Sequence, residues 1–196
     1  MAKDTRGGKR ATGDSMTAYN TLSQTDREAL DFYTMDGYEI SSYLRNDEDL
    51  PSNFKALQKD LDHAISQGEI KADTKVYRGV SANAFGIIAS DDFNDVNFKN
   101  NRQIASELKQ KIGTKFTDKG YMSTSHDKAT AISFSNGSNS GVVMEMNIKK
   151  GTKAMHIGSS SGFKNESETL LGRNTQYTLK GVRMEKGNII VQIDVG

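Results

Sequence analysis

The sequence predicts an α+β protein in which helices come first and strands dominate the rest of the chain. Apolar residues recur at helical spacing up to about residue 70, whereas from Lys75 onward the apolar runs are short and rich in β-branched and aromatic residues. Two runs near the C-terminus, Thr175 to Met184 and Asn188 to Val195, flank a turn and predict an antiparallel pair. A chain of 196 residues with 35% hydrophobic residues can bury the core of one domain.

Composition excludes several function classes. Lys and Arg number 26 against 25 Asp and Glu, so a net charge of +1 gives no field that favours nucleic acid or an anionic membrane as a partner. The absence of cysteine excludes disulfides, thiolate metal sites and a cysteine nucleophile, and the three histidines lack metal-ligand spacing. No apolar run is long enough to span a membrane, and the first ten residues lack the apolar core of a signal peptide. We expect no metal and no membrane partner, and synthesis in the cytoplasm of the producer.

One domain with a short tail is predicted. Residues 1–20 are polar and crowded with basic side chains, which predicts a mobile tail. The domain then covers residues 21–196 and comprises a helical lobe at 21–70 and a β-core at 71–196.

Three helices are predicted in the lobe. A capping box at Thr25–Glu28 marks a helix start, and apolar spacing predicts two short helices that meet near Asp36 and Gly37. Pro51 suits the first turn of a longer helix. The apolar stripe of that helix is Phe54, Leu57, Leu61 and Ile65. His63 lies beside the stripe and is expected on the surface or packed.

An arginine stands inside the first predicted strand, Val76 to Val80. Its charge cannot be lost, so Arg78 must find an anion or a carboxylate, unless the strand is at an edge and the side chain faces water. Further along, Asn101 to Ile112 predicts a helix with Ile104, Leu108 and Ile112 aligned. Val142 to Ile148 alternates and predicts a half-buried strand, and His156 in the next short strand is expected to be packed.

Two polar motifs occur at predicted strand ends. Ser123, Thr124 and Ser125 end one strand and could hold a neighbouring carboxylate, and Asp127 then caps a helix that runs through Phe134. Glu166 and Glu168 stand one residue apart where an apolar run begins. Because side chains alternate along a strand, both acids would point the same way and could divide a reaction between them. Taken alone, a solvated charged face is the better interpretation.

Read together, Tyr77-Arg78-Gly79, Tyr121-Met122-Ser123-Thr124-Ser125 and Phe163-x-x-Glu166-x-Glu168 resemble the arginine-serine-glutamate class of mono-ADP-ribosyltransferases. The lobe carries a related pattern from Asp31 to Arg45, with Ser41 where relatives often have asparagine. The resemblance covers residues 22 to 195. It implies a helical lobe packed on a mixed, mainly antiparallel two-sheet β-core, and NAD as co-substrate without a metal.

The resemblance also implies roles for individual residues. Glu168 would hydrogen-bond the ribose 2'-hydroxyl of NAD and face the cationic sugar as nicotinamide leaves. Arg78 would bind the NAD phosphates, and the Gly79 backbone would hold the nicotinamide amide. Ser123 would orient Glu168, with Thr124 and Ser125 supporting the strand end. Phe134 is a candidate for stacking near nicotinamide, or else a core residue.

In relatives, an acid at the position of Glu166 goes with transfer to arginine, because a carboxylate can pair with guanidinium and assist removal of its proton. Phe163 matches an aromatic residue that relatives use to touch the target protein. We therefore predict transfer of ADP-ribose to an arginine of a host protein by a toxin, effector or phage-delivered enzyme, with a delivery or immunity partner left open. The alternatives are NAD hydrolysis or nucleic-acid modification on the same fold, and a non-catalytic binding module.

Overall fold

The computed structural model describes residues 19–90, 92–135, 141–157 and 168–196. Residues 19–21 are helical, and five further α-helices lie in these ranges: α1 Gln24–Phe32, α2 Glu39–Arg45, α3 Ser52–Gln67, α4 Asn101–Gln110 and α5 Lys128–Ser135. A π-helical turn at Tyr33–Gly37 joins α1 to α2, and a 3-10 turn occupies Ala82–Phe85.

Eight strands form one sheet in the order β2-β7-β8-β4-β1-β3-β6-β5. They are β1 Thr74–Ser81, β2 Lys115–Asp118, β3 Met122–Ser125, β4 Gly141–Ile148, β5 Ala154–Ile157, β6 Glu168–Leu171, β7 Thr175–Glu185 and β8 Asn188–Val195. Among these eight strands, only β4 and β8 pair in parallel. The α+β class and the mixed, mainly antiparallel pairing are therefore confirmed, including the closing β7–β8 pair.

One detail of the predicted core differs, because the strands form a single sheet instead of two. Strand β1 pairs with β4 along eight residues, but with β3 only at Tyr77 and Ser125. The β3-β6-β5 half is thus joined to the β2-β7-β8-β4-β1 half at one point. Apolar residues of both halves, among them Met122, Leu171, Met144 and Val191, share one buried cluster. The two halves therefore pack against each other.

The helical lobe buries a second cluster against the other face of the β3-β6-β5 half. It joins lobe residues such as Leu30, Ile40 and Leu61 to Tyr121 and Leu170. The predicted stripe of α3 is buried here, as expected. A third, smaller cluster packs Ala131 of α5 on Val143 and Ile190.

Two helix starts in the lobe differ from prediction. Ser23, and not Thr25, caps α1, because its hydroxyl accepts the Asp26 amide and donates to the Asp26 carboxylate at 2.7 Å. Pro51 is the N-cap of α3 and not a residue of its first turn. His63 lies on the surface of α3 with Nδ1 2.8 Å from Asp26 Oδ1.

Two predictions about apolar positions in the β-core are wrong. Helix α4 ends at Gln110, so Ile112 leaves the helical face and is 48% exposed. Strand β4 is buried on both faces and not on one, because α5 covers the face that carries Val143 while the sheet's other half covers the face that carries Met144.

Residues 1–18, most of the predicted tail, lie outside the described residues. The single domain at 21–196, with its division at residue 70, stays a prediction. None of the helices in the described part of the chain is both long and apolar enough to cross a membrane.

Candidate active site

Arg78 lies on an interior strand, with β4 on one side and β3 on the other. The alternative of an edge-strand arginine that faces water is therefore wrong. Its Nη1 donates to the Ser123 carbonyl at 2.9 Å, while Nε is buried with no hydrogen-bond partner among the described residues. Burial lowers the pKa of Arg78, an effect partly offset by the negative charge of Asp118. A guanidinium held in this way retains donors that suit an anion such as a phosphate.

The pairing of β3 with β6 brings the serine triplet to Glu168. Ser125 is directly opposite Glu168, and Ser123 is opposite Leu170. Directly opposite residues of an antiparallel pair project to the same face with Cβ atoms about 4.5–5.5 Å apart, and diagonal neighbours are about 7–8 Å apart. The register therefore makes Ser125 the immediate neighbour of Glu168, with Ser123 one step farther along the same face.

Thr124 projects to the opposite face from the two serines. It is buried, and its hydroxyl donates to the Thr169 carbonyl at 2.6 Å. This contact fastens β3 to β6, which agrees with the prediction that Thr124 supports the strand end. Only the two serines of the triplet share a face with Glu168.

Gly79 and Phe134 meet where β1 passes under α5. A Cβ on Gly79 would lie 2.3 Å from the Ala131 carbonyl oxygen and 2.6 Å from the Ser135 amide nitrogen. The missing side chain at this position thus permits the helix to approach the strand. The Phe134 side chain is 69% exposed, so the alternative of a core phenylalanine is wrong.

The helical lobe holds Tyr121, the residue just before the serine strand β3. Ser41 is buried, and its hydroxyl accepts from the Tyr121 amide at 3.1 Å. Arg45 donates to the Tyr121 carbonyl at 2.8 Å and pairs with Asp118, with Nε 2.7 Å from Oδ1. Serine at position 41 therefore contacts the backbone just ahead of the triplet.

Sequence reasoning assigns no role to Arg45 or Asp118. In the sequence Asp118 belongs only to a predicted turn, and Arg45 only ends the lobe pattern. The structure connects Asp118 electrostatically to Arg78 and to Tyr177, whose pKa is raised to about 12 by burial and next by the charge of Asp118. Two features of the sequence could have indicated a role near the site: Asp118 stands shortly before the serine triplet, and Arg45 stands at the end of the lobe pattern.

Phe163 and Glu166 lie outside the described residues, whereas Glu168 is the first residue of β6. The structure thus brings together Arg78, Ser123, Ser125 and Glu168 through the β1–β3 and β3–β6 pairings. Within the described ranges, no three His, Asp or Glu side chains are placed to hold a metal ion.

The chain belongs to the ADP-ribosyltransferase exoenzyme family, whose model matches residues 12–195. It is 33% identical over 159 residues to the NAD(+)–arginine ADP-ribosyltransferase EFV of Enterococcus faecalis. The aligned region covers 78% of this chain and 28% of that protein. The chain therefore spans little more than a quarter of that relative.

Solved structures of the same family share the fold. The C3 exoenzyme of Clostridium limosum matches with a TM-score of 0.75 at 21% identity, over 93% of this chain and 91% of that one. A crystal structure from S. aureus, solved with NAD, matches with a TM-score of 0.76 at 23% identity, over 93% of this chain and 91% of that one. These findings confirm the predicted family, its α+β fold, the class of enzyme and NAD as the co-substrate of that class.

Proposed function

We propose that this chain transfers ADP-ribose from NAD to an arginine side chain of a target protein and releases nicotinamide. The observation that carries the proposal is the arrangement around β3, where Arg78 bonds the Ser123 backbone and the register places Ser125 beside Glu168. A cation for the phosphates, on β1, is thus separated by the single strand β3 from a carboxylate for the ribose, on β6. The arginine named in the Enterococcus relative supports this choice of acceptor.

The proposed chemistry breaks the bond between the nicotinamide nitrogen and the ribose carbon. Nicotinamide leaves with the bonding electron pair, and the sugar becomes an oxocarbenium-like cation whose charge Glu168 stabilises from a fixed position. The acceptor guanidinium pairs with Glu166, and one of its nitrogens bonds to that carbon as Glu166 takes the proton which that nitrogen loses, so the product is an ADP-ribosylated guanidinium. Arg78 binds the phosphates, which holds the scissile bond near Glu168.

The other assigned residues position nicotinamide, the Glu168 carboxylate and the target protein. The Gly79 backbone holds the nicotinamide amide, and Phe134, exposed on α5 above Gly79, is available for stacking. Ser123 and Ser125 share the Glu168 face and orient its carboxylate. Phe163, three residues before Glu166, contacts the target protein. The description of the family as exoenzymes supports action outside the producer, on a protein of another cell.

The test uses labelled NAD with a cell lysate and matched glutamate variants. We expect Glu168→Gln to lower both NAD hydrolysis and protein labelling by at least about 100-fold, because the charge that meets the transition state is lost. Glu166→Gln should keep hydrolysis and lose arginine labelling. Glu48→Gln, the same change at an exposed site away from β6, should behave as the wild type.

Two results would overturn the assignment. Full protein labelling by Glu168→Gln would remove this residue from the reaction. Mass spectrometry should identify the label on protein arginine. Recovery of the label in RNA or DNA instead would mean that the acceptor is a nucleic acid.

A further inference from the structure

A carboxylate on the helical lobe ties together the two strands that carry the serines and Glu168. Asp62, on α3, accepts a hydrogen bond from the Tyr121 hydroxyl, 2.8 Å from Oδ1. It also pairs with Arg173, whose Nε lies 2.9 Å from Oδ2 and 3.2 Å from Oδ1. Tyr121 immediately precedes β3 and Arg173 follows β6 by two residues, so both contacts act at one end of the strand pair.

That end is opposite to the catalytic end of the same pair. The β3–β6 pairing runs from Met122 with Leu171 to Ser125 with Glu168. Three residue steps therefore separate the clamped end from Glu168, about 10 Å along the strands. A tilt or slip of the pair at Asp62 would be carried to Ser125 and Glu168, because a hydrogen-bonded strand pair moves as a unit.

The sheet itself constrains this half weakly. Strand β3 pairs with β1 only at Tyr77 and Ser125, and the Arg78 side chain adds a bond to the Ser123 carbonyl. The two halves also share the apolar cluster that contains Met122 and Leu171. The position of Glu168 relative to Arg78 thus depends in part on how the lobe holds β3 and β6. Asp62 is placed to hold both strands at once.

We propose that Asp62 is a positioning residue for the reaction, which aligns Ser123, Ser125 and Glu168 with Arg78 through its bonds to Tyr121 and Arg173. The proposal rests on the proposed function for the reaction that it serves. Burial, and next the Asp62 carboxylate, raise the pKa of Tyr121, so the phenol stays a donor at physiological pH.

The ion pair of Asp62 with Arg173 is poorly suited to a purely structural role. Its side chain and that of Arg173 are each 35% exposed, and they line an open cavity of about 280 Å³. Ion pairs with this access to solvent add little to the stability of a fold. A small misplacement of reacting groups, by contrast, can lower a rate about 100-fold. Loss of Asp62 should therefore appear in kcat more than in unfolding.

The test compares Asp62→Ala with Asp60→Ala. Asp60 lies two residues earlier on α3, is also half-buried, and makes no side-chain hydrogen bond within the described part of the chain. We expect Asp62→Ala to lower kcat about 10- to 100-fold for both NAD hydrolysis and arginine labelling, with KM for NAD changed less than about threefold. The urea midpoint of unfolding should match that of Asp60→Ala. Asp62→Asn, which keeps a side-chain acceptor at position 62 beside the Gln58 carbonyl that also accepts from the Tyr121 hydroxyl at 3.1 Å, should recover part of kcat.

A double-mutant cycle assigns the effect to the Tyr121 contact. Tyr121→Phe by itself should lower kcat. The fold-decrease in kcat of the double variant Asp62→Ala/Tyr121→Phe should be smaller than the product of the fold-decreases of the two single variants. Multiplicative effects, or a kcat for Asp62→Ala equal to that of Asp60→Ala, would overturn the proposal. So would a loss of activity that follows a lowered urea midpoint.

A readout without NAD separates this proposal from the proposed function. Hydrogen exchange of the free protein should become faster at residues 122–125 and 168–171 in Asp62→Ala, and remain unchanged in Asp60→Ala. Unchanged exchange in Asp62→Ala would overturn the positioning role whatever the reaction is. If the wild type hydrolyses NAD but labels no arginine, the acceptor assignment fails while kcat for hydrolysis still tests Asp62.

Discussion

Two adjacent residues of β1 serve different parts of the molecule. Arg78 bonds the backbone of β3 on one side of the sheet, whereas Gly79 lies against α5 on the other. Because successive side chains alternate faces, the strand places its cation toward the serine strand and its glycine under the helix. Any side chain at position 79 would push α5, and with it Phe134, away from the sheet.

We expect Gly79→Ala to lower the free energy of unfolding by about 1–3 kcal/mol, the usual effect of an overpacked site. The added Cβ would meet the Ala131 carbonyl at 2.3 Å, a backbone atom that cannot rotate away. Urea unfolding measures the change. Gly172→Ala is the matched control, because its Cβ would meet only Ile65 Cγ2 at 3.8 Å, and its stability should stay within about 0.5 kcal/mol. Equal stability of the two variants would contradict the prediction.

At the scale of elements, two histidines join three strands beside the candidate site. His126, just after β3, and His156 on β5 have ring centroids 5.6 Å apart. Both reach the Thr169 hydroxyl on β6, at 2.9 Å from His126 Nε2 and 3.4 Å from His156 Nδ1. His156 is half-buried, as expected of a packed histidine. Burial lowers the pKa of each histidine, and His126 lowers that of His156 further.

These shifts predict that the fold loses stability in mild acid. Between the ordinary histidine pKa of 6.5 and the lower folded values, the unfolded chain binds more protons, so stability falls as pH drops through this window. The slope is at most about 1.4 kcal/mol per pH unit for each histidine. Urea unfolding from pH 8 to 5 should show a smaller loss for His126→Gln and His156→Gln than for the wild type.

Above about pH 7.5 both histidines are neutral in either state, so the stability of each variant should run parallel to that of the wild type there. Identical pH profiles for both variants and the wild type below that range would contradict the assignment.

For the whole molecule, the candidate NAD site is shared between the lobe and the sheet. The lobe holds Tyr121 through Ser41, Arg45 and Asp62, and the sheet supplies Arg78 and Glu168. Since the groups proposed to bind NAD come from parts far apart in the chain, we expect binding to stabilise the fold as a whole.

We expect NAD to raise the thermal midpoint of Glu168→Gln, a variant that should not consume it. At about 100 times the dissociation constant, binding adds about 2.7 kcal/mol, which corresponds to roughly 5–10 °C for a chain of this size. Differential scanning calorimetry measures the shift. Adding Arg78→Lys should reduce it, because lysine lacks the planar fork that suits phosphates. A midpoint that does not respond to NAD would contradict the site.

Much of this architecture follows from short stretches of sequence. The α3 stripe, the closing β7–β8 pair, the arginine in β1 and the serine triplet each belong to a pattern within one element, where side-chain periodicity and turn residues act locally. The same local reasoning failed at Ile112 and on β4, because helix ends and two-sided burial depend on what packs against an element.

Residue order alone thus determines the elements, the polar residues at their ends and the family. The tertiary structure decides that Ser125 faces Glu168, that both sheet halves join at one point, and that Asp62 holds Tyr121 and Arg173. These last contacts link residues 59 and 111 positions apart. Strand register and the packing of the lobe on the sheet determine these contacts. No local sequence pattern predicts them, because they form only when segments far apart in the chain meet.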